Sequence, residues 1–223
     1  MANVLVVAPH PDDEILGAGG TLLKHVENKD NVYACIVTKA NQPEYSEEAI
    51  KEKRKEALDA SKNLGARKTF FLDFPTLRLD TIPMFELQKK ILDIVNDIKP
   101  EIMYVPHDGD VNQDHRKVRE ACNIVARPMP GSPVRKIYAF EIPCSTGWAS
   151  MNEETVFVPN VFVDIKAQLK KKLEIMSIYK TELREHPHPR SLKGIEIFAK
   201  HWGAIVGMEA AEAFKLVREI KSG

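Results

Sequence analysis

The stretch NVLVVAPHPDDEILGAGG, residues 3–20, decides the fold. Its first six residues, Asn3 to Ala8, are nearly all aliphatic, the pattern of a short strand buried on both faces. A helical stretch follows from Ile15 to about Asn28, and Val32 to Thr38 supplies a second β-branched run. Further out, a helix starts near Ser46, with Glu47 and Glu48 where its dipole favours acids, and stops at Gly65. Lys68 to Leu72 predicts a third strand. Pro83 opens another helix, on which Leu87, Ile91, Leu92, Val95 and Ile98 recur every three to four residues. Pro100 ends it, and Ile102 to Pro106 predicts a fourth strand. Strands alternating with helices at this spacing predict an α/β class, with a mostly parallel sheet covered by helices on both faces.

The rest of the chain predicts a helix over His115–Ala126, a Pro-rich loop over Arg127–Pro133 and strands over Val134–Ile142 and Val156–Ile165. Ile165, Leu169, Leu173, Met176, Tyr179 and Leu183 mark one face of a long helix, and the lysines 170 to 172 read as its solvated side. Glu185 to Arg190 breaks it, and helical sequence resumes to Lys221, giving a helical C-terminal part. Residues 1–223 are expected to form one domain.

The chain has 223 residues, of which 32 are basic and 32 acidic, so a primary role in gripping nucleic acid is not expected. Val4 to Ala8 is too short for a signal peptide or a membrane span. Cys35, Cys122 and Cys144 are odd in number and widely spaced, which predicts neither a disulfide framework nor a structural zinc site, and points to a cytoplasmic protein. Nothing in the sequence excludes a homo-oligomer.

His10-Pro11-Asp12-Asp13-Glu14 stands where the first strand ends, the edge at which open α/β sheets bind ligands. Taken alone, the acids could simply complement a helix N-terminus. A matching cluster, Asp110 to His115, follows the fourth strand. If the two converge, His10, Asp13 and His115 supply two imidazoles and a carboxylate, the donor set of a catalytic zinc or a related divalent ion. Such an ion acidifies a bound water and polarises a carbonyl. Asp12 is then placed as general base, and Asp114 as the partner that orients His115. The glycines after the first strand lack the G-x-G-x-x-G spacing of a dinucleotide site.

Ala8 to Glu14, followed by Gly17-Ala18-Gly19-Gly20-Thr21, resembles the N-terminal signature of the PIG-L/LmbE-like N-acetylglucosaminyl deacetylases. Asp114-His115 matches the family's second motif, and Glu56-Ala57 with Leu64-Gly65 resembles its intervening helix. The resemblance covers most of the first 126 residues. It implies a Rossmann-like fold, Zn2+ (with Fe2+ or Co2+ as other candidate ions) on His10, Asp13 and His115, Asp12 as base, and removal of acetyl from a small-molecule N-acetylated sugar. Two departures stand out. Many members carry a histidine three residues before the last ligand, where this chain has Asn112, an amide that can bond substrate but cannot deliver a proton. The family's substrate-binding arginine falls at Lys53, with Arg54 adjacent, and Arg54 is favoured because its fork suits sugar or phosphate oxygens.

The missing acid directs attention to His186-Pro187-His188-Pro189-Arg190, where His188 is the candidate proton donor and Arg190 the candidate substrate clamp. Glu141, Ser145, Thr146 and Trp148 form a polar-aromatic group that could meet a sugar ring, but the preferred reading is an ordinary loop with Trp148 packed on the core. Two other function classes stay open. The same triad serves non-haem Fe(II) oxygenases, and the fold could carry a non-catalytic sugar- or nucleotide-binding module.

Overall fold

The computed structural model describes residues 1–150 and 152–221. In chain order the elements are β1 (Asn3–Ala8), α1 (Asp13–Glu27), β2 (Asn31–Lys39), α2 (Glu47–Leu64), β3 (Lys68–Pro75), α3 (Met84–Ile98), β4 (Ile102–Pro106), α4 (Gln113–Val125), β5 (Lys136–Phe140), β6 (Val161–Asp164), α5 (Leu169–Met176), α6 (Leu192–Ile205) and β7 (Ala211–Glu219). The seven strands form one sheet in the order β3-β2-β1-β4-β5-β7-β6. β1 to β5 run parallel, whereas β7 is antiparallel to both β5 and β6.

Strand β1 is central, with Val4 paired to Val32 on one side and Ile102 on the other. Its alternate residues feed two cores: Val4 and Val6 pack among Ile15, Leu22, Tyr104 and Phe140, while Leu5 and Val7 pack among Leu87, Ile91 and Val118. Being buried on both faces is what requires the unbroken aliphatic run. Ser46 caps α2 by accepting from the Ala49 amide, and Gly65 closes it at φ 82°, a conformation that favours glycine. Helix α1 lies so close to the sheet that a Cβ on Gly17 would stand 2.2 Å from the Phe140 ring, and one on Gly20 2.7 Å from Ile165. These glycines therefore serve helix–sheet packing.

Four expectations change. The helix predicted from Ile165 to Leu183 is only α5, after which the chain turns; Ile165, Met176 and Tyr179 are still fully buried, because successive turns can repeat nearly the same period. The helix predicted to Lys221 ends at Ile205, and Gly207 at φ 75° redirects the chain into β7. Ala, Glu, Lys, Leu and Arg dominate that last segment and favour helix locally, but the slot between β5 and β6 imposes a strand. Lys172 is not on a solvated face: it is buried and paired with Glu212 at 2.7 Å. On α3, Leu92 is exposed and Ile94 takes its place in the core.

Candidate active site

The sheet order reverses between β1 and β4, which leaves a crevice beyond their carboxyl ends. His10, Asp12 and Asp13 follow β1, and Asp110 to His115 follow β4, so the two sequence clusters meet there. Nδ1 of His10 lies 3.1 Å from Nε2 of His115, and each stands 3.3 Å from Oδ2 of Asp13. Four-coordinate zinc with bonds near 2.0–2.1 Å places its ligand atoms about 3.3–3.4 Å apart, so this triangle fits one divalent ion on His10, Asp13 and His115.

The outer ring nitrogens each carry a carboxylate. Nε2 of His10 meets Asp114 at 3.0 Å, and Nδ1 of His115 meets Asp110 at 3.1 Å. This corrects one expectation, since Asp114 orients His10 and the partner of His115 is Asp110. Asp114 is fixed in turn by the amides of Leu77 and Leu79, and Asp110 by the hydroxyls of Ser145 and Thr146. Outer carboxylates of this kind hold a ligating imidazole's tautomer and direction.

The electrostatics follow from crowding. Burial opposes protonation of His10, yet Asp114 and Asp13 raise it to about 9; burial likewise opposes it at His115, where Asp13 and Asp110 raise it to about 10. Asp13 is buried, which alone would raise its pKa, but the two imidazoles hold it well below the usual carboxylate range. A bound cation replaces those imidazole protons. Asp12, by contrast, is raised well above its usual value by burial and by the charges of Asp13 and Glu182.

Asp12 caps the start of α1 at φ 104°, a strained backbone for a residue with a Cβ. Its amide donates to Glu14, whose other oxygen accepts from the Tyr179 hydroxyl, and burial raises the Glu14 carboxyl to about 7. Nη1 of Arg190 reaches Asp12 at 3.4 Å and Glu182 at 3.3 Å, and Glu182 also pairs with Lys53. Lys53 is thus the α2 cation that lines the cleft. Arg54 lies outside it, 3.8 Å over the Phe71 ring and paired with Asp73, because consecutive helical residues face about 100° apart.

Asn112 lines the cleft and caps α4, its side-chain oxygen accepting from the Asp114 amide at 2.9 Å, which leaves its NH2 group free to donate. His188 is not among the cleft-lining residues. Its ring meets Trp148 edge-on at 5.6 Å between centroids, and its Nδ1 accepts the Arg190 amide. The loop therefore presents Arg190, not His188, to Asp12. Trp148 is 61% exposed and is not packed on the core.

Glu141 is directed elsewhere, to a small cavity beside Trp202, whose indole N–H it accepts, and Lys172. Burial raises Glu141 to about 7 despite that bond. An unfolded glutamate titrates near ~4.3, so the folded protein binds the proton more tightly. The stabilising contribution of Glu141 is therefore complete below about pH 4 and is lost as pH rises through 7. Wild type should lose stability relative to Glu141→Gln over that interval. Urea unfolding of both proteins at several pH values checks this, and parallel curves contradict it.

Sequence reasoning did not foresee Glu182, Tyr179 or Arg184, whose approach depends on turns after α5 that no periodicity reveals. Asp110 lies inside the second cluster, so its composition was a usable signal.

A family comparison gives these positions their context. The profile described as PIG-L, GlcNAc-PI de-N-acetylase, matches residues 5–126, more than half of the chain. The chain belongs to the PIG-L family. An Escherichia coli K12 protein described as the uncharacterized deacetylase YaiS is 29% identical over 171 residues, covering 74% of this chain and 83% of the relative. The diacetylchitobiose deacetylase of Thermococcus kodakarensis is 23% identical, covering 96% of this chain and 83% of the relative. Among solved structures, the conserved protein TT1542 of Thermus thermophilus superposes with a TM-score of 0.78 at 24% identity, over 100% of this chain and 98% of that one. That likeness speaks for the fold alone, and the α/β, mostly parallel architecture agrees with it. No helix among the described residues is long and apolar enough to cross a membrane.

Proposed function

We propose that this PIG-L family protein is a divalent-metal-dependent hydrolase, with zinc the favoured ion, that removes acetyl from an N-acetylated amino sugar. The observation that carries the reading is the triangle of His10, Asp13 and His115 atoms, each imidazole backed by a carboxylate, beside the buried Asp12. The name of the Thermococcus kodakarensis relative, a diacetylchitobiose deacetylase, supports the substrate class, and that of the Escherichia coli relative supports deacetylation.

A cation held by the triad supplies Lewis-acid polarisation of the amide and an acidified water. Asp12 takes the proton of the attacking water as oxygen adds to the acetyl carbon. The C–N bond then breaks, and Asp12 returns the proton to the departing nitrogen, releasing acetate and a free amine. Asp12 performs both transfers because Asn112 has no proton to give. Arg190 holds the Asp12 carboxylate in place, and the NH2 group of Asn112 can donate to the developing oxyanion. His188 acts only on the loop, through its bond to the Arg190 amide.

The test is acetate release from a panel of free, nucleotide-linked and lipid-linked N-acetyl sugars, with zinc-loaded, cobalt-loaded and chelator-stripped protein. Release that needs the ion and returns on reconstitution is expected. Full release by rigorously metal-free protein overturns the proposal, as does oxygen consumption with the iron-loaded form in place of acetate release.

A further inference from the structure

Helix α1 begins in an unusual way. An aspartate at a helix N-cap ordinarily has extended backbone and turns its carboxylate back to accept an amide of the first turn. Asp12 does neither: its φ is 104° and its side chain makes no capping bond. Only an arm like the return half of a capping box is present, since the buried Glu14 carboxylate accepts the Asp12 amide at 3.2 Å. The Asp12 carboxylate is left for the cleft, where Nη1 of Arg190 stands 3.4 Å from it.

The other oxygen of Glu14 is taken by the hydroxyl of Tyr179, whose side chain is wholly buried. Tyr179 stands in the turn after α5, which is fastened on two sides. Its own carbonyl accepts the Glu182 and Leu183 amides, both at 3.0 Å. Buried Glu56 of α2 accepts the Thr181 amide and hydroxyl at 3.1 and 2.6 Å. The same turn carries Glu182, the second partner of Arg190. Asp12 is thus gripped at its amide through Glu14 and at its carboxylate through Arg190, and both grips start from residues 179–190.

We propose that Tyr179 is a positioning residue of the reaction: through Glu14 it holds Asp12 in its positive-φ conformation, which keeps the carboxylate out of the helix cap and aimed into the cleft. The inference rests on the deacetylase reading above, in which Asp12 moves the proton. Strained backbone persists only where its surroundings over-determine it. Without the Tyr179 hydroxyl, Glu14 loses a donor and can swing off the Asp12 amide. Relaxation of Asp12 to an ordinary N-cap then turns its carboxylate onto the α1 amides and away from substrate. Tyr179 does not line the cleft, so its effect on the reaction passes through Asp12.

Tyr179→Phe removes the hydroxyl and nothing else. Acetate release by the zinc-loaded variant should show kcat about ten- to a hundredfold lower, the scale of a small misplacement of a catalytic group, with KM and zinc content unchanged. Tyr104→Phe is the matched control. It too deletes a buried tyrosine hydroxyl, one bonded to His25 at 3.0 Å and outside the cleft, and should leave kcat at the wild-type value. In an Asp12→Asn background Tyr179→Phe should lower kcat no further, because two changes that act through one group do not add. Independently of turnover, NMR should show the Asp12 amide of zinc-loaded Tyr179→Phe exchanging with deuterated water about three- to tenfold faster than in wild type, the scale of one hydrogen bond. Tyr104→Phe should exchange there at the wild-type rate. A kcat for Tyr179→Phe within a few fold of wild type, an equal fall in Tyr104→Phe, a full further fall in the Asp12→Asn background, or unchanged exchange at Asp12 overturns the positioning role, while acetate release by wild type stands. If wild type releases no acetate, the deacetylase reading fails, and the amide exchange alone still decides whether Tyr179 holds Asp12.

Discussion

On the proposed mechanism, Asp12→Asn should lower kcat for acetate release by about 10²–10⁴-fold, the usual worth of a positioned general acid–base group, and should leave the metal content of wild type unchanged. Asparagine keeps the size of the side chain and tolerates positive φ better than most residues, so the backbone at φ 104° is retained. Arg190 keeps Glu182 as its partner, and Asp13 keeps both imidazoles, so the ligand triangle has no reason to open. What the substitution removes is the carboxylate beside the triad that is proposed to accept and return a proton. His115→Ala separates the two roles, because it removes a ligand and should cost metal content together with activity. Metal analysis alongside single-turnover acetate measurements distinguishes the variants. An Asp12→Asn rate within a few fold of wild type sinks the assignment of Asp12 as base, and loss of metal from that variant sinks the claim that Asp12 is not a ligand.

How far such roles can be read from sequence depends on how local their causes are. Strand β1, the turn at His10 and helix α1 lie within 25 consecutive residues, so hydrophobic period and composition disclose both the element and its chemistry. Asp114-His115 is legible for the same reason. Which carboxylate backs which imidazole is not, because it depends on how β1 and β4 bring their following loops together. The Leu77 and Leu79 amides also draw Asp114 toward His10. His188 and Arg190 both stand in a conspicuous stretch, but only the fold of the loop decides which faces the cleft, and the contact of His188 with Trp148 sends it outward. Choosing Arg54 over Lys53 put the donor geometry of a guanidinium ahead of helical direction. The strand β7 was hidden by residues that favour helix and by a place in the sheet, between β5 and β6, that no local pattern discloses.

The Lys172–Glu212 pair shows the same limit and leads to the largest stability effect. Forty residues separate the two, and nothing in either neighbourhood marks them as buried. Glu212 reaches from β7 to accept the Gly20 and Thr21 amides of α1 at 2.8 and 2.7 Å, and Lys172 on α5 donates to Leu16 of α1 at 2.9 Å. The pair therefore binds the antiparallel part of the sheet and the C-terminal helices to the helix whose first turn holds Asp13, just after Asp12. Removing one member of a buried ion pair costs about 3–5 kcal/mol, since the other charge is left without a partner. For a chain of this size that is roughly 6–20 °C in Tm. The two members should not be equal. Glu212→Gln leaves the Lys172 ammonium with only the Leu16 carbonyl and turns one accepting oxygen into an NH2 group that faces a helix amide. Lys172→Met leaves the Glu212 carboxylate still accepting both amides. Glu212→Gln should thus lower Tm more than Lys172→Met, a fall that thermal unfolding by circular dichroism reads directly. A Glu212→Gln shift below about 2 °C, under the range expected from that loss, or the reverse order of the two variants, shows that the pair does not fasten β7 and α5 to α1.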